Sequence, residues 1–485
     1  MSLGPLDDRR RIILLALVLT ALRLAAGATI HLTEDEAYYR LWAQSLQFGY
    51  FDHPPMIAWW IRLGEVIAGD TPLGVRLLPV LSTGLVTWFV GDLTRRLGAS
   101  PQTALRAALW YNATLTVGLG GMLAIPDSPA SLYWIVTLWC LARTWESGRG
   151  LWWLAAGAAA GLAVLSKYSA LFLAPGVLLW LLLIPRGRDE LRRPWPWGAA
   201  LIAGLIFSVN VLWNAQHEWI TFAKQFGRVA AQGLEPKHLA EFLATQFVLL
   251  NPIIAVFAVL GTTGGWRQRN RSDTPHLMLP IATSLPFVAY LILHSLHDRV
   301  QGHWPAPIFG ALAICAAMAA ERAPRWARIA APALGLGLSA LILIHLAMPS
   351  SFGRSDPSLA LRGWPQFATD VEALRRQTGA AWVGAESYGT LSQLEAERAS
   401  AAPLLQVVER DRYRKDPARR PDTTRPGLIV DIVRRMDRQD LLRCFAQVTP
   451  LPPISRGDPG GARASYGVFL VAGPLRDIWI DGCPQ

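Results

Sequence analysis

Along the first 350 residues, polar positions are confined to short stretches between long apolar runs. The runs predict helices near 11–30, 72–94, 102–125, 129–146, 151–166, 168–185, 196–215, 239–261, 276–296, 304–320 and 328–348. Several reach the roughly 20 residues needed to cross a bilayer core, so the pattern predicts a polytopic α-helical membrane protein of about eleven spans. Residues 31–70 interrupt it with a long outer loop, too polar to span and too patterned to be disordered. Within that loop Ala37, Tyr38, Leu41, Trp42 and Leu46 recur at helical spacing. Thr33 followed by Glu36 is a capping box, which starts a helix at Thr33. Pro54-Pro55 then breaks the chain, and MIAWWIRLGEVIAG predicts a second helix lying at the membrane interface, with Trp59 and Trp60 as anchors.

From about Ser350 the period changes. GWPQFATDVEALRRQ predicts a helix, and AAWVGAE, GLIVDIV and YGVFLVAG predict strands. The polar stretch between them, ERDRYRKDPARRPDTTRPG, predicts a solvated loop. The chain therefore divides into residues 1–349, a transmembrane unit whose outer loop carries an acidic motif, and residues 350–485, a small soluble α/β domain.

Composition agrees with this division. Of 485 residues 52% are hydrophobic and 17% charged, too apolar for an ordinary soluble protein. In a soluble chain the formal charge of +11 would suggest nucleic acid. Here the basic residues sit in the short connections, such as Arg95-Arg96, 186–193 and 322–328. With the N-terminus in the cytoplasm most of them fall inside, as the positive-inside rule requires. An odd number of spans then places residues 31–70 and the C-terminal domain together on the outer side. No nucleic-acid partner is expected. Cys444 and Cys483 are able to pair if that domain meets an oxidising compartment.

Candidate chemistry collects at the outer ends of the spans. Glu34, Asp35 and Glu36 crowd the mouth of the first helix, where acids are unfavourable for insertion. They also suit the first turn of a helix. If Glu36 serves the capping box, Asp35 is the carboxylate left as a general base. In Tyr50-Phe51-Asp52-His53-Pro54-Pro55 a rigid diproline turn presents Asp52 and His53, as an ordinary surface turn also would. Asp127 in Pro126-Asp127-Ser128-Pro129 is a binding residue, an N-cap, or both. Lys167, before Tyr168, lies between two apolar runs with almost no loop to solvate it. A lipid phosphate is a natural partner, and removing its charge is expected not to destabilise the chain. The stretch from His294 to Pro305 holds three histidines, Asp298 and Arg299. Arg299 suits a phosphate clamp, and His303 lies beside it. The spacing matches no standard zinc signature, so no cofactor is expected.

The ordered set of an early Asp-Glu pair, YFDHPP, an outer PDSP turn, SKY after a Gly/Ala-rich span and a late HWPAP resembles the polyprenyl-phosphate-sugar-dependent glycosyltransferases of the GT-C fold. These include the protein O-mannosyltransferases and the lipid A aminoarabinose transferases. The resemblance covers roughly residues 11–348. It implies inverting transfer of a sugar from an undecaprenyl- or dolichyl-phosphate carrier to an outer lipid, glycan or protein acceptor, at a bacterial plasma membrane. It implies Asp35 as catalytic base with Glu36 beside it, and Lys167 as a phosphate-binding lysine. Asp52-His53 stands where lipid A transferases tend to show Glu-Lys. A secondary transporter or flippase would distribute its polar residues along the spans and show related halves; neither is visible here.

Overall fold

The computed structural model describes residues 5–227, 233–269, 277–348, 351–353, 355–397, 402–412, 420–457, 461 and 463–484. Helix α1 (Pro5–Thr29) leads through a short turn into α2 (Glu34–Gln44) and α3 (Met56–Ala68), the two helices expected within residues 31–70. Then follow α4 (Pro72–Arg96), α5 (Pro101–Asn112), α6 (Leu115–Gly120), α7 (Asp127–Ser147) and α8 (Leu151–Val164). A 3₁₀ turn at Tyr168–Phe172 opens α9 (Leu173–Leu183), followed by α10 (Pro185–Glu190), α11 (Pro194–Gln216) and α12 (Ile220–Gly227). The helical part closes with α13 (Pro236–Leu249), α14 (Pro252–Gln268), α15 (Met278–His294), α16 (Phe309–Ala319) and α17 (Arg325–Ala347). Proline at the first turn of α4, α5, α11, α13 and α14 starts helices where a missing N–H costs nothing.

The predicted apolar ranges fall on helices, but eleven straight spans do not result. Among the described residues four helices are long and apolar enough to cross a membrane: Arg9–Thr29 within α1, α4, α11 and α17. A fifth candidate, α13 with α14, bends by 106°. The range 239–261 breaks because Pro252 ends the preceding helix. Asn251 turns the chain at φ 73°, with its side chain accepting from the Ile253 N–H and donating to the Ala331 carbonyl. The range 102–125 is likewise split, where Thr114 caps a new helix. The most apolar windows of α1, α11 and α17 are only 22%, 22% and 17% buried. Apolar helices left that open are covered by lipid rather than by protein.

The C-terminal region begins with α18 (Trp364–Thr378) and then alternates β1 (Trp382–Ala385), α19 (Tyr388–Ala396), β2 (Leu404–Gln406), β3 (Gly427–Ile432), α20 (Arg438–Leu442), β4 (Phe445–Gly457) and β5 (Arg463–Pro474). Sheet order is β2-β1-β3-β5-β4, parallel through β2, β1 and β3 and antiparallel beyond. The three predicted strands are β1, β3 and β5. Its core packs Trp382, Ile429, Phe445 and Val471 on one face and Trp364, Phe367, Val383 and Leu428 on the other. Cys444 and Cys483 are joined, which fastens the chain's end beside Val407, whose carbonyl accepts from the Cys483 N–H at 2.6 Å.

Candidate active site

The capping box at Thr33 forms: its hydroxyl accepts from the Glu36 N–H, and the Glu36 carboxylate accepts from the Thr33 N–H at 2.9 Å. That carboxylate does more than cap. It accepts from Arg76 Nε at 2.7 Å, Arg76 Nη2 at 2.6 Å and the Ala124 N–H at 2.9 Å. Arg76 in turn donates to the carbonyls of Gly27, Ile30 and His31. Both side chains are wholly buried. Burial alone would raise the Glu36 carboxyl, but Arg76 reverses this and holds it below the usual carboxylate range. Glu36, expected beside the base Asp35 among the catalytic residues, is thus a staple joining α1, α2 and α4, and it is not among the residues lining the cavity. The reason is helical geometry: one residue along α2 turns the side chain by about 100°.

Asp35 points the other way, into a cavity of about 250 Å³. With it the cavity gathers Asp52, His53, Lys167, Tyr168 and His303 from the sequence-predicted set. Asp52 accepts from the Tyr38 hydroxyl at 2.9 Å. The diproline turn that carries it is held from both sides: the Met56 N–H donates to the Leu165 carbonyl, and Gln225 on α12 donates to the Asp52 carbonyl. Tyr168 donates to Asn210 on α11 at 2.8 Å. Asp127 does not cap α7, whose N-cap is Pro126 without a side-chain bond. Instead its carboxylate accepts from Lys167 Nζ at 2.6 Å, so a protein carboxylate occupies the partner position expected for a phosphate. Asp127 lines a second cavity of about 310 Å³, which shares Asp35, Tyr39, His53 and His303 with the first. His303 Nε2 stands 3.9 Å from Asp127. Burial lowers the His303 imidazole and Asp127 opposes this only in part.

Arg299 is not part of the site. Its side chain is 77% exposed and lies 3.6 Å from Glu241. The cavity takes its arginine from the polar stretch 409–427, of which 413–419 lie outside the described residues. Arg412 is 9% exposed and pairs with Asp52 and, at 2.7 Å, with Glu409. The rings of Tyr388, Phe51 and Tyr38 surround it at 4.5, 5.2 and 5.6 Å. Burial works against its charge, but the Asp52 carboxylate more than compensates, so the guanidinium is held above its usual range. Tyr388 completes the wall, donating its hydroxyl to Asp35 Oδ1 at 2.8 Å. Neither residue carries a local signal for the site, because the cavity carboxylates they bond, Asp35 and Asp52, lie 353 and 360 positions upstream. Among the described residues no group of three or more His, Cys, Asp or Glu is placed to hold a metal. What the cavity does assemble is the Asp35 carboxylate together with Lys167 and Arg412 along one lining, a setting for removing a proton near a departing anion.

In fold and in sequence the chain is similar to GT-C membrane glycosyltransferases. A family model described as dolichyl-phosphate-mannose-protein mannosyltransferase matches residues 52–213. In sequence the chain is 31% identical over 290 residues to the lipid A galacturonosyltransferase RgtD of Rhizobium johnstonii, covering 58% of this chain and 59% of that one. It is 35% identical over 139 residues to an undecaprenyl phosphate-alpha-4-amino-4-deoxy-L-arabinose arabinosyl transferase of Pseudomonas fluorescens, covering 27% and 24%. The matches thus span less than two thirds of these curated relatives. The solved structure of ArnT from Cupriavidus metallidurans bound to undecaprenyl phosphate superposes with a TM-score of 0.62 at 14% identity over 98% of each chain, which establishes the common fold.

Proposed function

We propose that this chain is an inverting glycosyltransferase that moves a sugar from a polyprenyl-phosphate carrier to an acceptor such as lipid A, another glycolipid or glycan, or protein. The observation that carries the reading is the placement of Asp35 in one cavity with Lys167 and Arg412. The acceptor oxygen attacks the anomeric carbon while Asp35 takes the hydroxyl proton. The bond from that carbon to the phosphate oxygen breaks, and its electron pair leaves on the polyprenyl phosphate, whose charge Lys167 and Arg412 stabilise. Single displacement inverts the centre. The reading needs no cofactor, because the donor arrives activated. The relatives' names, a galacturonosyltransferase and an aminoarabinose transferase, support a lipid A acceptor.

In this reading the protein lies in a bacterial inner membrane with its N-terminus cytoplasmic. Residues 1–349 form the membrane unit with α2 and α3 at the outer interface, and 350–485 an extracytoplasmic domain. The Cys444–Cys483 bond supports an oxidising side for that domain.

The test places the full chain in nanodiscs with lipid A and undecaprenyl-phosphate-linked galacturonic acid or aminoarabinose, and follows product mass. Wild type should transfer one of these sugars. Asp35→Asn should lose about 10²–10⁴-fold in rate, the usual share of a general base. A variant keeping more than about a tenth of the rate would remove Asp35 from that role.

A further inference from the structure

The strongest feature outside this reading is the way α19 sits on α2. Its first residue, Tyr388, gives its hydroxyl to Asp35 at 2.8 Å and packs its ring 5.0 Å from that of Tyr38. The next residue is glycine. A Cβ at Gly389 would lie 2.4 Å from Glu34 Oε2 and 3.2 Å from Glu34 Cβ, so a small side chain fits there once the end of the Glu34 side chain swings aside, and the two helices touch closely. Further along, Gln393 donates to the Leu32 carbonyl at 2.9 Å, and Glu397 lies 2.6 Å from His31. The start of α19 is fixed from behind as well. Buried Asp431 on β3 accepts from the Ser387 N–H at 2.6 Å, the Ser387 hydroxyl at 3.1 Å and the Thr390 hydroxyl at 2.9 Å. Four residues, three on α19 and its C-cap Glu397, therefore tie this element to the stretch that carries the base, and a buried carboxylate ties α19 to the sheet.

We infer that Tyr388 is a positioning residue for the Asp35 base, and that docking of α19 on α2 makes the C-terminal region part of the active site. The inference rests on the base role of Asp35 proposed above. A carboxylate at a helix N-terminus has two rotatable bonds and two equivalent oxygens. A hydroxyl fixed on Oδ1 selects one orientation and leaves Oδ2 to meet the acceptor proton. A misplacement of even an ångström at such a group costs up to about 10²-fold in rate. In this scheme the Tyr388 hydroxyl bonds the base and not a reacting atom, while its ring stays in the cavity wall against Arg412, so removing the hydroxyl alone acts on turnover and leaves donor affinity alone.

Two measurements test it on the full-length protein in nanodiscs. Tyr388→Phe should lower kcat about 10- to 100-fold, with the KM for donor and the affinity for undecaprenyl phosphate within about twofold of wild type. A kcat within twofold of wild type, or a loss confined to KM, would overturn the positioning role. The second variant, Glu34→Cys with Gly389→Cys, removes the Glu34 carboxylate and places two Cβ atoms 3.2 Å apart across the α2–α19 contact, a few tenths of an ångström short of the usual disulfide separation. The oxidised protein should cross-link and keep transferring sugar, with wild type treated in parallel as the control for Cys444–Cys483. Failure to cross-link would refute the docking. A cross-linked protein that is inactive until mildly reduced would show that docking is a resting state and not the working one. Absence of transfer by wild type is a separate result: it strikes the transferase reading, while the cross-link still reports the docking.

Discussion

Asp35 and Glu36 are adjacent in the chain, yet the turn of α2 sends one into a cavity and the other into a buried pair with Arg76. Chemistry alone does not separate them, since both are carboxylates at the same helix terminus. The same separation recurs at Lys167. A lone lysine between apolar runs suggests a charge that is dispensable for folding, but the fold gives it Asp127 at 2.6 Å, with the two side chains 11% and 6% exposed. Lys167→Ala therefore leaves a buried carboxylate without its cation and should cost about 3–5 kcal/mol of stability. Asp127→Asn is the more informative change. It removes the anion that competes with a ligand phosphate, so affinity for undecaprenyl phosphate should rise by about tenfold, equivalent to about 1.4 kcal/mol. Calorimetric titration of the purified variant measures this, and unchanged or weaker binding would show that Lys167 does not exchange Asp127 for phosphate.

The helices meet through small residues. A Cβ on Gly157 of α8 would lie 2.2 Å from the Ala199 carbonyl oxygen of α11. Gly176 of α9 meets Thr283 of α15, and Gly261 of α14 meets Cys315 of α16, in the same way. In lipid no hydrophobic force drives such helices together, so close backbone approach and the dispersion it brings hold them. Gly157→Ala should force α8 from α11 and cost about 1–3 kcal/mol, as overpacking does. Gly204→Ala, with nothing within 4 Å of the new methyl, should be neutral. Thermal midpoints followed by tryptophan fluorescence compare the pair, and equal midpoints would show that α8 and α11 have room to spare.

Across the molecule the C-terminal region carries its own response to pH. Burial pushes the Glu386 carboxyl, at the end of β1, from 4.5 up to about 7. Asp431, Asp440 and Asp437 add to the rise, and Arg435 opposes it. The folded form therefore binds more protons than the unfolded one between pH 4.5 and about 7. Its contribution to stability is present in full below 4.5 and is lost as pH rises through 7. Unfolding of the region should accordingly occur at lower temperature at pH 8 than at pH 5, and Glu386→Gln should flatten that slope and raise the midpoint at pH 8. Equal slopes in the two proteins would assign the effect elsewhere.

Local pattern was enough for much of this protein. Apolar runs located the helices, because a bilayer admits little else over such lengths. Thr33 and Glu36 marked the start of α2, because capping acts over three residues. Short strand-like apolar runs mark β1, β3 and β5, whereas β2 and β4 carry no such mark, one being three residues long and the other interrupted by three prolines. The order of short motifs pointed to Asp35, Asp52, His53, Lys167, Tyr168 and His303, which the fold gathers around one cavity. Partnership across the chain was beyond such signals. That Glu36 meets Arg76, that Lys167 meets Asp127, and that Tyr388 and Arg412 arrive from the far end of the chain depend on contacts over 40 to 360 positions. Periodicity and capping act within a few residues, so they place a side chain on a face of its own element. Which distant group shares that face, and hence whether a charge is a staple, a base or a clamp, follows from how the elements pack.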